Sequence, residues 1–505
     1  MRRTYSIFFN TKSIFAILYE MSRKFAYDVG VFIFRRDLRL DDNLGLIRMT
    51  RECASIVPIF CLDQNQIVET DKNKHYRSES AVQFMCESLA DLNLQLNERS
   101  SKLFMFYGLP WEILGGVLSE LKKSHKSVAA GWNHDYSEYS QKRDAEMISV
   151  CGKLDVKTLV NTYEYTLRPM EEYQKGSGGG FKQFTAFWRT AAAVKPNAPE
   201  KCEGSFYSKN STFSHEFNEK LSKFYTHNPK NSQKGGRSIA LDKLSKIAKH
   251  RDYNEKRDFL TYESTQISAA MNFGCVSVRE VYDRFRKDLN SDTDLIKQLY
   301  WRDYFLAIGY YLPHALSFKR MIDSRFDQIK FKPNHDEWTK LMECKTGFLL
   351  VDAAMTQMIT TGYISNRARM LLGMMWTKYL LTHVYDEKYG LQAGYSKYFV
   401  DAIGPVQNKL NCAWIYELDF AGRRYAAPGA PLSGRPMDIS NKQIKKWDAD
   451  CKYIKTWLPH LKNVPVDALI DWNEQISKKF KNIHPAPMFD AKERLAEFVE
   501  LCRGL

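Results

Sequence analysis

The stretch "KQLYWRDYF", residues 297–305, sets a neutral amide, Gln298, three places ahead of the run Trp301, Arg302 and Asp303, in a segment whose apolar residues recur at helical spacing. Residues three and four apart share a helix face, so the amide, the indole and the guanidinium serve either packing or a polar, stacking site. "YESTQIS" (262–268) gathers the hydroxyls of Ser264, Thr265 and Ser268 ahead of helical "AAMNFG". Such hydroxyls cap a helix or hold phosphate, and spacing alone favours capping. "SNRARM" (365–370) places Asn366, Arg367 and Arg369 beside an apolar helix. Those arginines are solvated, or one is buried against a carboxylate such as Asp401, where hydrogen bonding must offset desolvation. "FRRDLRLDDN" (34–43) follows a strand at the place of a Gly-rich phosphate loop. Without that loop, ordinary dinucleotide binding at the first crossover lacks its backbone-approach mechanism; charge pairing around a turn is the competing expectation.

The elements that must position these residues fall into two halves. From Tyr27 to about Val160, "DVGVFIF", "SIVPIF", "KLFMFYG" and "SVAAGW" read as strands alternating with helices, one of which puts Val82, Met85, Leu89, Leu92 and Leu96 on a single face. Alternation of this kind implies a parallel, Rossmann-like α/β sheet. Beyond Gly236 the apolar spacing becomes helical throughout, so the second half is expected to be all-α. The resulting plan is an N-terminal extension (1–24), an α/β domain (25–165), an interdomain linker rich in Gly, Pro, Ser and Lys (166–235), and a helical domain (236–505).

With 505 residues the chain can bury two cores. Its 74 Lys and Arg against 59 Asp and Glu give a formal charge of +15, which favours an anionic partner such as nucleic acid over an acidic one. Ten scattered cysteines without a C-x-x-C pair signal neither zinc nor a disulfide framework, so no metal is expected and a reducing compartment fits. No uninterrupted apolar run is long enough to span a membrane. The basic, apolar N-terminus lacks a small-residue cleavage site; a secretory signal is not expected, while organelle targeting by residues 1–20, or a second start at Met21, stays open.

These pieces occur together in the order used by the photolyase/cryptochrome family: "FRRDLRLDDN", "FTAFWR", "STQIS", "QLYWRDYF", "TGFLLVDAAM", "SNRARM", "YIKTWLPHL" and "HPAPMFDAKE" resemble successive family motifs from residue 34 to 493. The resemblance implies an antenna-type α/β domain, a helical domain holding FAD in a folded conformation, and light-dependent repair of UV-damaged DNA by a monomer in the nucleus or cytoplasm. Matched residue by residue, it places Tyr253, Ser264, Thr265 and Ser268 around the FAD phosphates and Arg302, Asn366, Arg369 and Asp401 around the flavin. Trp301 and Tyr416 would flank a pyrimidine dimer extruded from the duplex, and Gln298, Asn366 and Met370 would line its pocket. Trp414 resembles the proximal electron-transfer Trp. "GRRYAAPGAPLSGRPM", with Arg423, Arg424 and Arg435, is expected to be a DNA-contacting loop.

Within the family, Asn366 and Met370 resemble the cyclobutane-dimer enzymes rather than the six-four enzymes, which carry a His pair there; Gln298 points the other way. Signalling as a cryptochrome is the remaining alternative. The interval from Asp401 to Trp414 is longer than the family pattern, so Leu410 falls where an Asn facing the flavin is expected and Asn408 or Asn411 would take its place. Phe331 stands where the outermost relay Trp is expected. In "WNHDYSEYSQKRD" (132–144), Tyr139 and Ser140 replace the Asn and Glu of the folate-binding pattern, so a second antenna chromophore is expected to be something other than tightly bound folate.

Overall fold

The computed structural model describes residues 25–70, 77–181, 183–289, 293–311, 329–382, 386, 388–389 and 438–501. Five strands, β1 (Val29–Phe34), β2 (Ile56–Leu62), β3 (Phe104–Tyr107), β4 (Val128–Asn133) and β5 (Lys157–Asn161), pair in parallel in the order β3-β2-β1-β4-β5. Helices α1 (Leu44–Glu52), α2 (Glu79–Asn97), α3 (Pro110–Leu121) and α4 (Glu138–Lys153) connect them. The two-residue repeat of β1 divides its side chains between faces. Val29, Val31 and Ile33 pack with Leu114, Val117 and Met147, while Phe32 and Phe34 join the core that runs on into the second half. Covered on both faces, β1 and β4 are buried throughout. On α2, capped by Ser78, the expected stripe packs inward: Val82, Leu89, Leu92 and Leu96 are buried and Met85 lies half-buried against them.

The second half is helical, as its spacing predicts. The short helix α5 (Phe184–Ala191) leads into α6 (Val278–Asp288), which starts with a reciprocal Ser277–Glu280 capping box, and α7 (Asp294–Tyr311). Then α8 (Leu349–Thr361) and α9 (Asn366–Met374) build a separate core with the C-terminal segments. Among the described residues no helix is long and apolar enough to cross a membrane. The connection from 166 to 235 is packed rather than a loose tether: Met170, Tyr173, Phe187, Cys202, Phe217 and Phe224 are buried in the shared core.

"FRRDLRLDDN" forms the junction between the halves. Leu38 N–H donates to the carbonyl of Phe273 at 3.0 Å, and Gly274, at φ +69°, lies so close that a Cβ would stand 2.4 Å from the carbonyl oxygen of Arg36, a place only glycine fills without strain. Arg39 pairs with Glu164 and donates to Gly274 O at 3.1 Å, while Arg279 Nε meets Asp42 at 3.0 Å and its Nη1 reaches Glu164 O and Thr166 O. Charge pairing is therefore one role of this motif, extended from a local turn to an interdomain network.

Candidate functional site

Helix α7 carries the centre of the site. The spacing of Gln298, Trp301, Arg302 and Phe305 puts all four on one face, and all four line a cavity of about 300 Å³. Asp303 falls on another face and is fully buried, accepting from Leu167 N–H and Tyr173 Oη–H at 2.7 Å each, which pins α7 to the 166–235 segment. Burial pushes its carboxyl up to about 6, against the opposing pull of Arg302 and the two donors. Burial also draws the Arg302 guanidinium down to about 10, countered by Asp303, so Arg302 stays cationic at neutral pH; it donates to the carbonyl of Tyr165.

The loop before Ser268 contributes Ser264, Thr265 and Ser268 to the same cavity, and α9 contributes Asn366 and Arg369 from its first turn. The capping expectation for the hydroxyls is overturned: the helix Ser268–Asn272 is preceded by Ile267 with no side-chain cap. Instead Gln266 adopts φ +47°, and its amide is held by Gln233 and Glu263, turning the loop so that its hydroxyls reach the cavity wall. Ser264 shares a hydrogen bond with Tyr363 Oη at 3.2 Å, whereas Thr265, Ser268 and the Gln298 amide have no side-chain hydrogen-bond partner among the described residues. A polar side chain left unanswered in a concave wall is open to a ligand.

Tyr253 lines the cavity as expected. Met370 is absent from the lining and sits behind it, its sulfur 3.7 Å from Asn366 Nδ2 and 3.4 Å from Arg367 Nη1. Arg367, read as solvated or paired, meets Asp258. Trp301 does two things at once: it lines the cavity and stacks on Phe184 with centroids 3.5 Å apart and planes 8° off parallel, so part of its ring surface is spent on packing. Asp401, Asn408, Asn411, Trp414, Tyr416, Arg423, Arg424 and Arg435 lie outside the described residues.

Several lining residues were missed, Tyr363 and Arg36 among them. Tyr363 stands just ahead of "SNRARM" and carries the Arg369 guanidinium 5.5 Å from its ring centroid. Arg36 comes from the first half; its position in a quoted motif was visible, its reach into the second half was not. Among the described residues the lining holds three guanidinium groups and no carboxylate, with Met271, Phe285, Leu295 and Leu299 among the apolar remainder. Positive charge, free hydroxyls and apolar surface fit a ligand with phosphate at one end and flat rings at the other, the chemistry of FAD.

Residues 295–503 match the family model described as the FAD binding domain of DNA photolyase, and residues 30–203 match the one described as DNA photolyase. The deoxyribodipyrimidine photo-lyase of Synechococcus sp. is 24% identical across 94% of this chain and 96% of its own. Among solved structures, an archaeal photolyase from Sulfolobus tokodaii with two FAD molecules superposes with a TM-score of 0.77 at 29% identity, covering 94% of this chain and 100% of that one. A Synechocystis cryptochrome has the same fold, with a TM-score of 0.80 at 19% identity over 94% of this chain and 99% of the other.

Proposed function

Its halves matching the two domain models of one family, the chain belongs to the photolyase/cryptochrome family, and from that premise we propose that it is a deoxyribodipyrimidine photolyase, a carbon-carbon lyase that splits cyclobutane pyrimidine dimers in DNA in light. The observation that carries this reading is the convergence of separate motifs on one cavity where, among the described residues, the Gln298 amide and the hydroxyls of Thr265 and Ser268 have no side-chain hydrogen-bond partner.

FAD, once bound, reduced and excited by blue or near-UV light, would supply the electron that opens the dimer and would take it back when the two pyrimidines separate, leaving no net oxidation or reduction. The chain's own residues bind and orient. Ser264, Thr265, Ser268 and Tyr253 take the phosphates, and Arg302 and Arg369 set fixed positive charge beside the flavin, which favours its anionic reduced form. Gln298 donates a hydrogen bond to a pyrimidine carbonyl and holds it as negative charge develops there. An amide has no proton to surrender, so its part is orientation and polarisation. Trp301, backed by Phe184, gives the extruded dimer a rigid apolar surface that keeps water out. The +15 charge draws in the phosphate backbone.

Gln298 is the one observation that favours a six-four enzyme. Against it, oxygen transfer in that reaction calls for acid/base groups, and neither Asn366 nor Met370 can replace an imidazole. For the second chromophore, Tyr139 is bonded to Asp63 and lies beneath Arg143, which supports a ligand other than folate; a stoichiometric pterin band in the purified protein would contradict this. The functional test is to incubate the reduced protein with defined cyclobutane and six-four lesions, in blue light and in the dark. Light-dependent repair of the cyclobutane dimer is expected; repair of the six-four lesion alone, or of neither, overturns the proposal.

A further inference from the structure

Arg36 is the lining residue supplied by the first half of the chain. It is 8% exposed, follows β1 directly, and its guanidinium carbon lies 3.9 Å from the centre of the Tyr165 ring. Asp135, after β4, fixes it with two bonds, to Nε at 2.8 Å and Nη2 at 2.9 Å. This fork leaves Nη1 without a hydrogen bond to any described residue, on a side chain that forms part of the cavity wall. Its charge acts on the Arg302 guanidinium, in the direction that lowers it, so two cations from different halves stand near each other at the end of the cavity where Arg302 sits. Each already has a carboxylate partner, Arg36 in Asp135 and Arg302 in Asp303 at 3.5 Å, and an electron-rich group between them would be held by both cations.

We propose that Arg36 is a cofactor-contacting residue: its free Nη1 donates to an electron-rich atom of the flavin, Asp135 positions it, and the cofactor site is therefore closed by both domains. The inference rests on FAD being the ligand of this cavity. Arg35 provides an internal control, because it leaves the same turn, pairs with Asp144 at 2.7 Å and does not line the cavity.

The test compares full-length apoprotein variants by FAD titration calorimetry and by the flavin midpoint potential. R36Q should weaken FAD binding by roughly 10- to 100-fold, the scale of a lost hydrogen bond from a charged donor, and move the potential to more negative values. R36K should recover part of the shift in potential, and D135N should weaken binding less than R36Q does. R35Q should stay within about 2-fold of the unaltered chain, the scale of a substitution away from the site. Unchanged affinity and potential in R36Q overturn the assignment, and so does an equal loss in R35Q, which would assign the effect to the junction as a whole. If R36Q does not fold, R36M, which keeps the stem but no donor or charge, does the same when its affinity and potential are unchanged. Failure of the unaltered chain to bind FAD would instead remove the cofactor reading on which the assignment rests.

Discussion

Two polar regions meet where the halves join, and they differ in how their groups are satisfied. In the junction network, Arg39, Asp42, Glu164 and Arg279 are nearly inaccessible, with side chains 1–2% exposed, and answer one another. In the cavity, Thr265, Ser268 and Gln298 have no side-chain hydrogen-bond partner among the described residues. Thr265 and Gln298 are partly exposed and Ser268 is exposed, so these groups stay accessible to a ligand instead of being locked into the fold. Paired charge marks architecture here, although Arg39 Nε lacks a hydrogen bond among the described residues, and accessible, unpaired polarity marks the ligand site.

The comparison breaks most easily at Arg279. Arg279→Leu removes the charge partner of buried Asp42, while Glu164 keeps Arg39, and loss of one partner of a buried pair costs about 3–5 kcal/mol; urea unfolding should show a loss of that size, and a loss below about 1 kcal/mol would put the network among exposed pairs. Next in size, the triple variant S264A/T265A/S268A should weaken FAD binding about 10- to 100-fold while leaving the urea stability of the apoprotein within about 1 kcal/mol. A large stability loss with intact FAD affinity would make these hydroxyls structural.

Acid sharpens the contrast through two carboxylates of opposite sign. Burial alone would raise the carboxyl of Asp135, yet the charge and hydrogen bonds of Arg36 outweigh it and hold it well below the ordinary range. Its contribution to stability is present above its unfolded value of about 3.9 and is lost as the pH falls below that. Asp303 is held up to about 6, binds its proton more tightly in the folded chain, and so favours folding most below about pH 4, losing that contribution as pH rises through 6. Melting temperature should therefore hold or rise slightly from pH 7 to 5 and fall below about pH 4. Asp303→Asn should flatten the upper part of this profile, and Asp135→Asn the lower part; identical profiles in all three proteins would refute both assignments.

Smaller effects separate the two ends of the cavity. Gln298→Ala should weaken dimer binding by about 2- to 10-fold, the scale of one neutral hydrogen bond, with FAD affinity unchanged. Gln298→Glu should retain or raise repair, and its abolition would mean that the amide does something a carboxyl cannot. The double variant R423A/R424A should lower the dependence of DNA affinity on salt, measured as the slope of log affinity against log salt.

Much of the architecture was legible because local repeats encode it. The apolar runs of β1 to β4 are bounded by breakers, and α7 has a helical period that brings Gln298, Trp301 and Arg302 to one wall. Interactions far apart in sequence were not legible. Arg39 pairs with a residue 125 positions away and Asp42 with one 237 away, and no local pattern names Glu164 or Arg279 as the partners. Spacing alone favours a cap for the hydroxyls of "STQIS", because spacing cannot show the turn at Gln266 that redirects them; the family resemblance places them around the phosphates instead. Gly, Pro and polar content made 166–235 look like a tether, although its interspersed Met170, Tyr173, Phe187, Phe217 and Phe224 reach a core that only the folded chain brings alongside.

The central claim, that one cavity binds the flavin and presents it to the lesion, is tested most directly by a crystal structure of the reduced protein with FAD and a cyclobutane-dimer duplex. The account predicts the FAD phosphates at Ser264, Thr265 and Ser268, the flavin beside Arg302 and Arg369, and a carbonyl of the extruded dimer within hydrogen-bond distance of the Gln298 amide. FAD bound outside this cavity, or a dimer out of reach of Gln298, would contradict it.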